Sequence, residues 1–280
     1  MRSFGAYSLG WKMSGSTTPF FFIQLSDPQF GLFEVRGAAP GDGTFPETAL
    51  YEEAIAAAKR LRPAFVVVTG DLVQDSDSDE QHAELTRITG QLDGDIPIYF
   101  TTGNCDVGNT PTAESLRIYR AKFGRDSYSF DAGGSHFVVL NSSVCLDPSE
   151  VPEEWDSLVE FLRRDLDVHS PDSTHTIVFM HHPLFGKSAD EPDDGIAIIP
   201  RERRRIILDL LRNHETSGVF AGHWHRNNYA ADGKMLMVVS GPVGFPLGDD
   251  PSGLRIVKVY DDRVEHEYFG MDDVPIRVDL

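Results

Sequence analysis

The sequence predicts a layered α/β domain. Two observations carry that prediction: short β-branched or aromatic runs alternate with amphipathic helical stretches along the chain, and several of the runs end in polar residues of the same kind. A length of 280 residues with 40% hydrophobic content is enough for one large domain, and no internal repeat or low-complexity linker divides it. Residues 20–280 are read as that single domain and residues 1–19 as an N-terminal extension.

In chain order, "FFFIQLSD" (Phe20 to Asp27) reads as a buried strand. "FPETALYEEAIAAAKRLRP" has helical spacing at Leu50, Ala54, Ile55 and Leu61, and Pro63 stops it. "AFVVVTGD" is the next strand, followed by an acidic loop, "QDSDSDE", and the helix "HAELTRITGQL". "IPIYFTTGN" is the third strand. "TAESLRIYRAKFG" is a helix closed by Gly124, and "SYSFDAGGSHFVVLNSS" is two strands around a Gly-Gly turn. "PEEWDSLVEFLRRDL" is a strongly amphipathic helix that leads into the strand "TIVFMHH". The long acidic segment "PLFGKSADEPDDGIAIIP" reads as a loop of the kind that shapes a binding site. "RERRRIILDLLRNH" is the last long helix, "GVFAGHWH" the strand after it, and "KMLMVVSG" and "GLRIVKVYDDRVEHEYF" are strands, the latter turning at Asp261-Asp262.

Composition narrows the function classes. A formal charge of −19 repels phosphate backbones and leaves no counterion-release term for nucleic acid. Any phosphate chemistry therefore needs concentrated local positive charge, such as metal ions. Cys105 and Cys145 form neither a disulfide framework nor a zinc-finger spacing, which fits a reducing setting. The N-terminal stretch lacks a signal-peptide core, and every apolar run is far shorter than the roughly 20 residues of a membrane span. The expectation is a cytoplasmic protein with no membrane or nucleic-acid partner.

The polar residues at the strand ends are Asp27 in "SDPQ", Asp71 in "TGD", Asn104 in "TGN", His181 in "MHH", and His223 and His225 in "GHWH", with Gln29 as a further donor. Strand C-termini in α/β sheets converge on one edge, so these donors meet in space. Alternation along an extended strand would put His223 and His225 on one side. Mixed nitrogen and oxygen donors suit Zn, Mn or Fe better than Ca or Mg. Six or seven donors exceed what one tetrahedral ion uses, whereas two ions sharing a carboxylate use them all. Taken singly, "GD" and "GN" are common after strands; their joint order carries the inference. His182 is read as a packing or hydrogen-bonding neighbour, and the other histidines as surface or structural residues.

That order, D-x-[HQ], GD, GN-x-[DE], H-x-P, GH-x-H, resembles the calcineurin-like metallophosphoesterases from Phe20 to about Phe269. Through "DPQFGL", "GNTPTAES", "GHWHRN" and "DPSGLRIVKV" the chain is most similar to the serine/threonine phosphatases that carry a calcineurin-like phosphoesterase domain. The resemblance implies two β-sheets sandwiched between helices, a four-layer αββα arrangement, with two divalent or trivalent transition-metal ions at one edge. It assigns Asp27, Gln29 and His225 to the first metal, Asn104, His181 and His223 to the second, and Asp71 to both. Most of the wider family has histidine where Gln29 stands, and a neutral amide is the poorer donor.

The resemblance also implies a metal-bound hydroxide attacking phosphorus, with a histidine after the "GN" asparagine placed to protonate the leaving oxygen and the next acid orienting it. Here those two catalytic positions are Cys105 and Asp106. A thiol is a weak donor, and a neighbouring carboxylate raises its pKa, so Cys105 is a poor acid. Loss of a general acid costs roughly 10²- to 10⁴-fold, while the contribution of the metals survives. Arg226 and Asn227, directly after "GHWH", are expected to help hold a substrate oxygen. The expected activity is hydrolysis of phosphomonoesters, on a small molecule or on phosphoserine and phosphothreonine in a protein. The alternatives are a phosphodiesterase of cyclic nucleotides or small diesters, and a weakly active phospholigand-binding protein, the last supported by Cys105.

Overall fold

Residues 18–39, 41 and 45–280 are described by the computed structural model. Most of the expected N-terminal extension lies outside them. The strands in chain order are β1 (Phe20–Leu25), β2 (Val66–Thr69), β3 (Ile98–Thr101), β4 (Tyr128–Ala132), β5 (Ser135–Val139), β6 (Thr176–Phe179), β7 (Gly218–Ala221), β8 (Asn228–Asp232), β9 (Met235–Val239), β10 (Gly253–Val259) and β11 (Val264–Gly270). The helices are α1 (Leu32–Val35), α2 (Pro46–Leu61), α3 (Asp79–Thr89), α4 (Asn104–Val107), α5 (Ala113–Phe123), α6 (Ser142–Leu146), α7 (Pro152–His169) and α8 (Arg201–Asn213).

They form two mixed sheets flanked by helices. One has the order β11-β10-β1-β2-β3 and the other β4-β5-β6-β7-β9-β8. β1, β2 and β3 are parallel, as are β5, β6, β7 and β9, while β4, β8, β10 and β11 pair antiparallel and β3 forms a parallel edge. Strand alternation sorts the core: Phe22, Val67, Phe137, Phe179, Phe220 and Val257 pack in one cluster between the sheets, and the intervening Phe21, Ile23, Val66, Val178 and Val219 join the helix-facing core. Phe22 stacks on Phe65 at 4.8 Å and meets Phe179 edge-on at 5.4 Å.

Local signals place most boundaries. α2 starts at a proline in its first turn and ends in left-handed Arg62, one residue before Pro63. Gly133 and Gly134 both have positive φ, 55° and 77°, as the tight turn between β4 and β5 requires. α3 begins earlier than the sequence suggests, because the Ser78 side chain caps it by accepting from Gln81 N–H. β8 is not legible in "NYAAD", since its strand form comes from pairing with β9. The expected strand through "GHWH" stops at Ala221, before either histidine. No helix among the described residues is long and apolar enough to cross a membrane.

Candidate active site

Strands from both sheets deliver donors to one edge. β1 leads into Asp27 and Gln29, β2 into Asp71, β3 into Asn104, β6 into His181, and β7 into His223 and His225. Asp27, Asp71 and His181 offer donor atoms all within 4.8 Å of one another. His181 Nε2 lies 3.1 Å from Asn104 Oδ1, 3.1 Å from His223 Nδ1 and 3.4 Å from Asp71 Oδ1. His225 Nε2 lies 3.4 Å from Asp27 Oδ1.

The turns that aim these side chains are strained. Of the seven non-glycine residues with positive φ among the described residues, five are Asp27 (48°), Gln29 (39°), Asp71 (48°), His223 (74°) and His225 (51°). Such backbone costs roughly 1–3 kcal/mol per residue, so strain is concentrated on the donors. His223 and His225 thus reach the same site from two left-handed turns, and not by alternation along an extended strand. The glycines before the ligands are there for close approach. A Cβ on Gly103 would stand 2.1 Å from Asp71 Oδ1, and one on Gly222 would stand 2.1 Å from Ser26 Oγ and 2.6 Å from Asp27 Oδ2.

Backbone carbonyls set the tautomers of all three histidines. His181 Nδ1 is 2.9 Å from Thr69 O, His223 Nε2 is 3.0 Å from Ile196 O, and His225 Nδ1 is 2.5 Å from Phe245 O. A carbonyl only accepts, so each of these nitrogens donates; in a neutral imidazole the other nitrogen carries the lone pair, which sits beside Asp71 for His181, beside Asp27 for His225 and beside His181 for His223. With all three rings neutral, His181 Nε2, His223 Nδ1 and Asn104 Oδ1 would meet as three acceptors with no hydrogen between them. Gln29 Oε1 is also buried without a partner. Only an added cation or proton reconciles such a cluster, and this donor set fits two metal ions.

The same field shifts the titrating groups. Burial opposes the Asp71 charge, but His181 outweighs it and holds the carboxyl below its usual range. Burial likewise opposes a charged His181, yet Asp71 and Asp27 push it up to about 9. His223 is driven down to about 4 by burial and by His181. Burial, then Asp71 and Asp106, pushes the Cys105 thiol far up, so it stays protonated.

Cys105 stands at this site, with Gln29 Nε2 donating to its Sγ at 3.0 Å and its own N–H donating to Asp71 Oδ1 at 2.8 Å. Asp106, expected from sequence to orient the acid, is held by backbone N–H groups. Its carboxylate accepts from Gly103 N–H at 2.7 Å and Leu72 N–H at 2.9 Å, tying the loops after β2 and β3 together. Burial and Asp71 raise it to about 7 against those hydrogen bonds. Arg226 is exposed and lies over the Trp224 ring at 5.5 Å. Asn227 is tied into the scaffold: its Oδ1 accepts from Gly241 N–H at 3.0 Å and from the buried Arg255 guanidinium. The long loop after β6 does reach the site, through Ile196 O on His223 and Ala197 O on the Trp224 indole N–H. Sequence reasoning missed Ser142 and Arg255, and no sequence signal marks the carbonyls of Thr69, Ile196 and Phe245.

Comparison with known proteins agrees with this geometry. The model of the calcineurin-like phosphoesterase family matches residues 22–227. The chain is 36% identical to serine/threonine-protein phosphatase CPPED1 of Rattus norvegicus, covering 93% of this chain and 87% of the relative. It is also 36% identical to the Homo sapiens CPPED1, covering 91% and 85%. The fold is similar to that of a dimetal phosphatase from Danio rerio, with a TM-score of 0.68, 16% identity, and coverage of 90% of this chain and 96% of that one. On the family match and on relatives of this identity over nine-tenths of its length, the chain belongs to the calcineurin-like phosphoesterase family and is a phosphoric ester hydrolase.

Proposed function

We propose that this protein hydrolyses phosphomonoesters, with phosphoserine and phosphothreonine of proteins as the substrate class. The observation that carries the chemistry is the meeting of Asn104 Oδ1, His181 Nε2 and His223 Nδ1 beside Asp71, with Asp27 and His225 behind them. The substrate class is supported by the similarity to serine/threonine phosphatases. Asn104, His181 and His223 would hold one ion, Asp27, His225 and Gln29 the other, and Asp71 both. Two such ions, of the Mn, Fe or Zn type by donor chemistry, supply an activated water and neutralise the phosphoryl oxygens.

The chain's own residues set the remainder. The backbone carbonyls hold each imidazole in the ligating tautomer, and the Cys105 N–H orients the Asp71 carboxylate. The protonated Cys105 thiol offers only a weak hydrogen bond to a departing oxygen, so phosphoserine and phosphothreonine, which leave as alkoxides, are turned over slowly and by the metal centre's contribution alone. Arg226, exposed beside His225, is the residue available to meet a substrate oxygen, while Asn227 holds the loop that carries it. We assign the protein to the cytoplasm, a reading supported by two free cysteines.

Metal analysis and a substrate panel test this reading. Metal-replete protein should carry two ions per chain, and Asp71→Asn should lower occupancy of both. Phosphopeptides should be cleaved faster than phosphodiesters. A single ion unaffected by the substitution, or preference for diesters, would overturn it.

A further inference from the structure

One buried polar atom beside the site is left without a partner and lies outside the ligand set. His182 is fully buried, and its Nε2 has no hydrogen-bond partner. The hydroxyl of Ser142, at the start of α6, decides which ring nitrogen carries the hydrogen. Its oxygen accepts from the backbone N–H groups of His181 at 3.1 Å and His182 at 2.9 Å. The hydroxyl hydrogen is then left for His182 Nδ1, 2.9 Å away. Nδ1 is therefore an acceptor, and Nε2 carries the hydrogen.

This tautomer separates His182 from its neighbours. A ring nitrogen of His182 lies within 4.8 Å of ring nitrogens of His181 and His223, close enough to suggest a third imidazole ligand. A protonated Nε2 has no lone pair for a cation, and the lone pair on Nδ1 is taken by Ser142. His182 is instead a fixed donor, its ring centroid 4.4 Å from that of His223 and 4.9 Å from that of His181. A buried N–H without an acceptor is costly, so the working state must bring one to it.

We infer that His182 Nε2–H donates a hydrogen bond to an oxygen of the phosphate group held at the metal centre. The inference rests on the phosphoesterase reading above and adds to it a donor that sequence places among packing residues. The hydrogen stays on Nε2 throughout, so the role is substrate binding and not proton transfer. It gives the site a strong neutral donor, which the Cys105 thiol is not.

The test uses the metal-loaded protein, inorganic phosphate as probe, and two variants. His182→Leu removes the donor, and His182→Gln places an amide N–H near the position of Nε2. Metal content should be unchanged in both. Phosphate affinity should fall about tenfold in His182→Leu and recover in His182→Gln, as for loss and return of one hydrogen bond to a charged acceptor. In the unmodified protein, nitrogen NMR of the His182 ring should show the hydrogen on Nε2, with that signal shifting when phosphate is added. This measurement decides the matter even where the leucine variant fails to fold. Lost metal in His182→Leu would make the residue a ligand, and unchanged phosphate affinity or an unmoved ring signal would make it structural; each overturns the inference alone. Unmodified protein that binds neither metal nor phosphate would overturn the phosphoesterase reading together with it.

Discussion

Two residues set this site apart from a histidine-rich one, and they touch. Gln29 and Cys105 stand where the resemblance to the wider family leads one to expect histidine, glutamine being usual in the nearer phosphatases, and Gln29 Nε2 donates to Cys105 Sγ. The two side chains therefore form one unit, and changes at the two positions will not add simply. If position 105 serves the leaving oxygen as the resemblance implies, Cys105→His would supply a proton donor there while leaving the candidate metal ligands in place. Turnover of alkyl phosphates should rise roughly 10²-fold, with a smaller gain on nitrophenyl phosphate, whose leaving group departs as a stable anion. Metal content should not change. Equal rates for parent and variant on an alkyl phosphate would defeat the missing-acid account.

At the scale of elements, short polar ties hold the turns that aim the ligands. Asp106 joins the loop after β2 to the loop after β3 through the N–H groups of Leu72 and Gly103, both buried. Asp106→Ala leaves those donors unpaired, so stability should fall by about 2–5 kcal/mol in urea unfolding. An unchanged midpoint would mean that water replaces the carboxylate. A second tie joins the β4–β5 hairpin to α7: His136 lies 2.7 Å from Asp131 and 2.7 Å from Asp165. Burial lowers the His136 pKa, but the two carboxylates outweigh burial and raise it, and His136 in turn helps lower that of Asp165. A folded pKa above the unfolded one means stabilisation that is complete below about pH 6.5 and lost as pH rises through the folded value. The destabilisation caused by His136→Gln should therefore be larger near pH 5.5 than near pH 9, as measured by denaturant midpoints at the two pH values. An equal cost at both would rule out the ion pair as its source.

Across the whole molecule, the site depends on how the two sheets face each other, because its donors come from both. The aromatic cluster between them fixes that relation, and Phe22 touches rings of Phe65, Phe137, Phe179 and Phe220. Phe22→Ala should cost about 3–5 kcal/mol of stability by leaving a cavity. Since the cluster sets the spacing of the sheets, metal affinity should weaken as well. Calorimetric melting with and without metal would detect both effects, and a loss of stability with unaltered metal binding would show that the edge holds its own geometry. The net charge of −19 belongs to this scale too, since it leaves the metal centre to supply the local positive charge that a phosphate ester needs.

The sequence by itself determined the order of the candidate donors and the strand that carries each. These are legible because a parallel strand must end at one edge and the ligands follow at once, each of Asp71, Asn104 and His223 preceded by a glycine. It also showed a cysteine where the resemblance implies the acid, since the identity of a side chain needs no fold to be read. Tertiary structure alone decided orientation. Which nitrogen of His181 faces the centre depends on the Thr69 carbonyl, 112 residues away in the chain. The hydrogen bonds of Asp106 to the loop after β2, the contact of Asn227 with Arg255, and the inferred hydrogen on His182 Nε2 likewise follow from contacts between distant segments. A spacing pattern specifies where a residue sits along an element; the direction of a hydrogen or a lone pair is set by whichever backbone group packs against it, and that is a property of the folded chain.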